Sequence, residues 1–211
     1  NKIDTFCKNN KLSNYNFFMA VYSIYLGRVS RLNEFAIGTP ILNRTNFAEK
    51  NTTGMFINTV PLKINIDNTL NFIDFVKSIA TDAIGMLRHQ KYTYQQLLSD
   101  LREKDSTISG LYDFMFSYQI TKANDKNSSI PYDVEWIPTS TILESLCIHI
   151  HDNNDSNILN IDYDYQIDKY TADSIEKLHN RILYIIEEIL ANNNILLKDI
   201  EIVTPVEKEH I

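Results

Sequence analysis

IGTPILNR (Ile37 to Arg44) and TGMFINTVPLK (Thr53 to Lys63), joined by a loop rich in Thr, Asn and Glu/Lys, are the stretch around which the 211-residue chain is organised. Phe35 to Leu42 and Met55 to Ile64 are rich in β-branched and aromatic residues and are bounded by Gly38, Pro40, Gly54 and Pro61, so both read as strands. Each proline predicts an edge position, a bulge or a strand end. Arg44, Asn58 and Thr59 are polar where a purely structural strand would not need them. A guanidinium at the end of the first strand can reach across a cleft to form a bidentate pair with a carboxylate. An amide in the middle of the second strand, Asn58, must find hydrogen bonds or cost about 1–3 kcal/mol in desolvation.

Working outward, Ser13 is an N-cap candidate for a helix with Phe17, Phe18, Val21, Tyr22, Ile24 and Tyr25 on one broad buried face, weakening at Gly27. After Asn68, Phe72, Phe75, Val76, Ile79, Ala83, Met86 and Leu87 recur at helical intervals, ending near His89. A shorter helix starts at Thr93, where Gln96 completes a capping-box pattern. From Tyr112 to Ile120 the chain alternates: Tyr112, Phe114, Phe116, Tyr118 and Ile120 on one face, Asp113, Met115, Ser117 and Gln119 on the other. Tyr132 to Ile137 is extended. Ser145 to Asp152 and Ile158 to Tyr165 form a hairpin around a polar turn. A last helix follows Thr171, with Ile175, Leu178, Ile182, Ile185, Ile186 and Ile189 inside. Helical crossovers occur in only part of this order, which predicts an α+β fold with a mixed β-sheet packed with helices.

With 44% hydrophobic residues the chain can bury a substantial core without disulfides or metal. The net charge of −7 is mixed along the chain with no basic block, so no nucleic-acid partner is expected. No run approaches the roughly 18 apolar residues needed to span a bilayer, so no membrane partner is expected either. Cys7 and Cys147 lack metal-ligand or CxxC spacing and read as packed free thiols of a reducing compartment, which predicts a cytoplasmic protein. The start NKIDTFCKNN has neither a signal-peptide pattern nor an initiator Met, as expected of a piece of a longer chain.

Signatures of a self-contained enzyme are missing: there is no GxSxG, HExxH, P-loop or GxGxxG. His149 and His151, with Asp152 beside them, share a strand face at a spacing that metal sites use, but no third ligand is evident and no metal is expected. Asp162 and Asp164 share a strand face, and Glu187 and Glu188 lie on a solvated helix face.

The motifs resemble those of the C-terminal half of a condensation domain of non-ribosomal peptide synthetases. IGTPILNR is similar to that family's GxPxxxR stretch and TGMFINTVPLK to its GxFxNTxPLR segment, with Lys63 in place of Arg. HQKYTYQQL (His89 to Leu97) resembles a weakened HQxxPFExL, and SGLYDFMFSYQ (Ser109 to Gln119) an RxPLFDVMFxxQ strand. LNIDYDYQIDKYTADSIEKL resembles YxxxLFxxxTIxRL. The end, DIEIVTPVEKEHI, is similar to a linker leading into an adenylation domain. The resemblance implies one lobe of a chloramphenicol-acetyltransferase-like pair over residues 1–203, followed by the start of a linker at 204–211. The family's catalytic HHxxxDG belongs to the other lobe, and no two histidines are adjacent here.

That resemblance implies amide formation between aminoacyl or peptidyl thioesters tethered to donor and acceptor carrier proteins. No cofactor is bound directly; the phosphopantetheine arms of the carriers enter as tethered substrate. The implied partners are the N-terminal lobe, the two carrier proteins and a downstream adenylation domain. Arg44 would meet the aspartate of HHxxxDG across the lobe interface, Asn58 and Thr59 would line the active-site wall, and Ser117 and Gln119 are candidates for the substrate tunnel. Without the second lobe Arg44 is expected to be solvated, and segments 43–53 and 121–141, reaching towards that lobe, to be mobile or repacked. Two alternatives stand beside this reading: a non-catalytic condensation-like module that binds a carrier protein or tailoring enzyme, and a coenzyme A-dependent acyltransferase of the same fold.

Overall fold

The computed structural model describes residues 2–120, 137, 141–153 and 158–209. A helix with no strong sequence signal, α1 (Lys2–Asn10), precedes the helix that starts after Ser13, α2 (Asn14–Ser30). The Ser13 hydroxyl caps α2 by accepting from the Asn16 N–H at 3.1 Å. Every residue from Phe17 to Gly27 is buried, so α2 is enclosed on all sides rather than along one face. Gly27 does not end it: a Cβ there would overlap Ile66 Cδ1, and the bare backbone lets the chain after the second strand pack against the helix.

The order continues with β1 (Glu34–Ile41), α3 (Phe47–Lys50), β2 (Asn58–Asn65), α4 (Phe72–Arg88), α5 (Tyr94–Lys104), β3 (Phe114–Ile120), β4 (Leu146–Asn153), β5 (Ile158–Tyr165), α6 (Ala172–Ala191) and α7 (Pro205–Lys208). The five strands form one sheet in the order β2-β1-β3-β4-β5. β1–β2 and β4–β5 pair antiparallel, while β1–β3 and β3–β4 pair parallel. The mixed α+β sheet expected from the sequence is therefore formed. The stretch at 132–136, with Trp136, and the tip of the β4–β5 turn lie outside the described residues.

Helices α1, α2, α4 and α6 share one core with one face of this sheet. Ile37, Leu62, Ile64, Phe116, Leu146, Ile148 and Ile150 supply the sheet side of that core. Phe17 meets Phe72 edge-on at 5.3 Å and Phe6 at 5.6 Å, and Tyr22 meets Phe116 at 5.6 Å. Each fully buried side chain of this size contributes about 1.5–3 kcal/mol of transfer free energy.

α4 is capped by the Asn71 side chain on the Asp74 N–H, and α6 by a reciprocal Thr171–Ser174 box. All six apolar positions read for α6 are buried. Leu87 of α4 is instead 40% exposed. At α5 Thr93 accepts from the Gln96 N–H, but the Gln96 amide turns to Asp100 at 2.7 Å, so only half of the expected capping box forms. At the other end, Thr204 and Glu207 cap α7 reciprocally, and Arg181 of α6 grips the Glu207 carboxylate through Nε and Nη2 at 2.8–3.2 Å.

Candidate functional site

β1 ends at Ile41, and Asn43 takes a left-handed conformation (φ 52°) that turns the chain away from the sheet. The loop then winds around Arg44. Arg44 Nη1 donates to the carbonyls of Thr52 (2.7 Å) and Glu49, Nη2 donates to the Gly54 carbonyl (2.9 Å), and the guanidinium lies 4.0 Å from the centre of the Phe56 ring. Arg44 is half-buried, not solvated as expected: backbone carbonyl dipoles and an aromatic face take the place of a carboxylate partner. The segment at 43–53 is accordingly folded on itself around α3; most of 121–141 lies outside the described residues.

One carboxylate fastens this loop. Glu49 Oε2 accepts from the Thr45 N–H (2.6 Å) and hydroxyl (3.0 Å), while Oε1 lies 2.9 Å from Lys91 Nζ. The hydrogen bond from Lys91, followed by that from the Thr45 backbone, holds the Glu49 carboxyl down at about 2. Leu42, Phe47, Met55 and Ile57, by contrast, project from the loop and its flanks into solvent, Phe47 and Met55 being 84% and 87% exposed.

Asn58 is the first residue of β2, not a mid-strand one, because Met55 to Ile57 precede the paired segment. It faces Ile41, and Thr59 faces Pro40. Strand alternation puts Asn58 on the side of Val60, Leu62 and Ile64, towards the helices, and Thr59 on the opposite face with Gly38 and Pro40. Gly38 pairs with Met115, so Ser117 and Gln119 share the face of Thr59. Ser117 is buried, and its hydroxyl accepts from the Gln119 amide at 3.2 Å. Tyr112 leaves the alternation read from the sequence. It precedes β3, and its ring covers Gly38 on the face away from the helices, where a Cβ on residue 38 would overlap it. Burial, helped by Glu144, pushes the Tyr112 hydroxyl up to about 12.

The same polar face continues onto β4 and β5. Ser117 stands beside His149 and Gln119 beside His151. His149 Nε2 lies 3.4 Å from Asp164 Oδ2, and His151 Nε2 3.3 Å from Asp162 Oδ2, two diagonal pairs across one antiparallel ladder. Burial lowers the His149 pKa against the opposing pull of Asp164. Among the described residues, no three His, Cys, Asp or Glu side chains are grouped to hold a metal ion. Cys7 and Cys147 are both buried free thiols, pushed up to about 12 chiefly by burial.

The family described as Condensation domain matches residues 1–211. The chain belongs to that family. Among relatives of this condensation-domain chain, surfactin synthase subunit 1 of Bacillus subtilis (strain 168) is 35% identical over 210 residues, 100% of this chain and 6% of that protein. Gramicidin S synthase 2 of Brevibacillus brevis is 26% identical over 93% of this chain and 4% of its own length. The chain thus spans only a small part of these relatives.

Solved structures agree on the fold. The first condensation domain of the CDA synthetase superposes with a TM-score of 0.75 at 16% identity, over 96% of this chain and 45% of that one. The four-domain non-ribosomal peptide synthetase holo-AB3403 gives 0.83 at 14% identity, over 98% of this chain and 17% of that one. No helix among the described residues is long and apolar enough to cross a membrane.

Of the residues singled out in the sequence, Thr59, Ser117 and Gln119 share the polar face, Arg44 sits in the loop at its edge, and Asn58 stands on the other face. Sequence reasoning missed the pairing of Glu49 with Lys91, which lie 42 residues apart with no local pattern linking one to the other. It also missed the pairing of each histidine with an aspartate of the next strand, since register decides it.

Proposed function

We propose that residues 1–203 form the C-terminal lobe of a condensation domain in a cytoplasmic non-ribosomal peptide synthetase, and that 204–211 begin a linker towards an adenylation domain. The observation that carries this reading is that the family covers all of residues 1–211, while a solved condensation domain is matched over 45% of its chain. In the reaction, the amine of an acceptor tethered to one carrier protein attacks the thioester carbonyl of a donor on another. The amide bond forms, the C–S bond breaks, and the amine proton ends on the released thiol. Each reacting group arrives on a phosphopantetheine arm, and this lobe binds no cofactor of its own.

The lobe contributes one wall. The polar face bearing Thr59, Ser117 and Gln119 fronts the tunnel, Asn58 stands at its mouth beside the Arg44 loop, and the exposed Leu42, Phe47, Met55 and Ile57 meet the N-terminal lobe. Arg44 serves in this reading as the link to the loop of the other lobe that carries the catalytic histidine. Amide formation from aminoacyl thioesters by the intact domain, with Arg44→Ala and Asn58→Ala compared with wild type, tests the assignment. A fall of about tenfold or more is expected for Arg44→Ala, because catalytic geometry depends on the placement of the loop; unchanged turnover in both variants would sink it.

One observation favours a second reading, a non-catalytic condensation-like module that binds a carrier protein. Arg44 already has partners inside its own loop. Absence of amide formation in the wild-type intact domain, with carrier binding retained, would select that reading.

A further inference from the structure

HQKYTYQQL is a family-like segment that supplies no residue to the wall, yet two of its side chains grip the Arg44 loop and the entry to β3. Lys91 Nζ donates to the Asn43 carbonyl at 2.8 Å and reaches Glu49 Oε1 at 2.9 Å. Asn43 is the residue at which the chain leaves β1, and Glu49 also holds Thr45, the neighbour of Arg44. Three residues on, the Tyr94 hydroxyl accepts from the Leu111 N–H at 3.2 Å. The Tyr94 ring meets that of Tyr112 edge-on at 5.4 Å, and Tyr112 lies over Gly38 of β1.

The α4–α5 turn is therefore a two-pronged bracket, with one prong on the Arg44 loop and the other on the entry to β3. The turn is itself closed by hydrogen bonds, from the His89 N–H to the Met86 carbonyl and from the Tyr92 N–H to the His89 carbonyl, both 2.9 Å. A bracket built in this way transmits its own position to both elements. Hydrogen bonds within the loop fold it around Arg44, but among the described residues only Lys91 ties Asn43 and Glu49 to an element outside the loop.

We propose that Lys91 and Glu49 are positioning residues that hold the Arg44 loop in one orientation on the wall for amide formation, and this rests on the reading of the chain as a condensation-domain lobe. Neither touches the reacting atoms. Their effect passes through Asn43 and Thr45 to Arg44, so it falls on the rate of the chemical step more than on thioester binding.

Lys91→Met, Lys91→Arg, Glu49→Gln and the Lys91→Met/Glu49→Gln double variant, made in the intact condensation domain, test this by two readouts. Hydrogen exchange over residues 43–56 is expected to rise about tenfold or more in Lys91→Met, as a local opening. The kcat of amide formation from a small aminoacyl thioester is expected to fall roughly ten- to a hundredfold, with KM within about twofold. Lys91→Arg keeps the charge and is expected to restore most of both. The double variant should be no worse than Lys91→Met alone, since the Lys91–Glu49 contact is already lost there.

Unchanged exchange over 43–56 in Lys91→Met overturns the proposal, as do additive losses in the double variant or a loss confined to KM. A wild-type domain that makes no amide, but whose loop opens in Lys91→Met, would instead refute the functional reading and leave the bracket in place.

Discussion

The two faces of the sheet answer to different demands. The face towards the helices carries Ile37, Leu62, Ile64, Phe116, Ile148 and Ile150, interlocked with Phe17, Phe72 and Tyr22. The opposite face of the same sheet carries Thr59, Ser117, Gln119, His149, His151, Asp162 and Asp164. On the first face each side chain is accounted for by the apolar area it removes from water. On the second, packing explains little: a buried imidazole beside a carboxylate gains less stability than an aliphatic side chain of similar volume would. Polar groups carried where packing gains little support our proposal that this face, with Thr59, Ser117 and Gln119 on it, fronts the tunnel.

That contrast can be broken by direct measurement. Phe72→Ala empties a fully buried site and is expected to cost about 3–5 kcal/mol in urea denaturation. Gln119→Ala, on the exposed end of the polar face, is expected to change stability by no more than about 0.5 kcal/mol. Comparable losses from the two would show that both faces serve packing alike.

A smaller effect is expected at Gly38, where the polar face is close-packed by Tyr112. Gly38→Ala should cost about 1–3 kcal/mol through the overlap of its Cβ with the Tyr112 ring, and Tyr112→Ala made alongside should relieve part of that loss. No loss in the single variant would mean that the ring moves away freely and does not bear on β1.

The smallest effect sharpens the comparison by pH. Burial lowers the folded-state pKa of His149, so below its ordinary value near 6.5 the unfolded chain binds a proton that the folded chain refuses. The stability associated with neutral His149 is complete above that value and declines as pH falls towards the lowered folded-state pKa. Denaturation midpoints of wild type between about pH 7.5 and pH 5.5 should therefore decline more than those of His149→Gln. Parallel curves would show that the imidazole takes up its proton as readily in the folded state as in the unfolded one.

Much of the fold was legible in the residues. The six isoleucine and leucine positions of α6, the i, i+3, i+4 pattern of α4 and the alternation of β3 to β5 each report a local period, and a local period survives folding unchanged. α1 was not legible, because Lys2 to Asn10 buries only Phe6 and Cys7 and becomes a helix through contacts with α2 and α6. Tyr112 departed from its alternation because a strand boundary two residues later freed it to cover Gly38. At the candidate site, Arg44 was recognisable as a guanidinium in need of a partner, but the partner it has is a set of carbonyls, and any backbone carries those.

IGTPILNR and TGMFINTVPLK by themselves pointed to two strands and to the family, because strand propensity, proline placement and motif spacing are written along the chain. Only the tertiary structure decided that Asn58 and Thr59 point to opposite faces, that Arg44 is held by its own loop, and that Lys91 reaches across 42 residues to Glu49. Strand register and loop closure are settled by contacts between distant segments, and a one-residue shift in register would exchange the two faces of β2 without altering any local pattern.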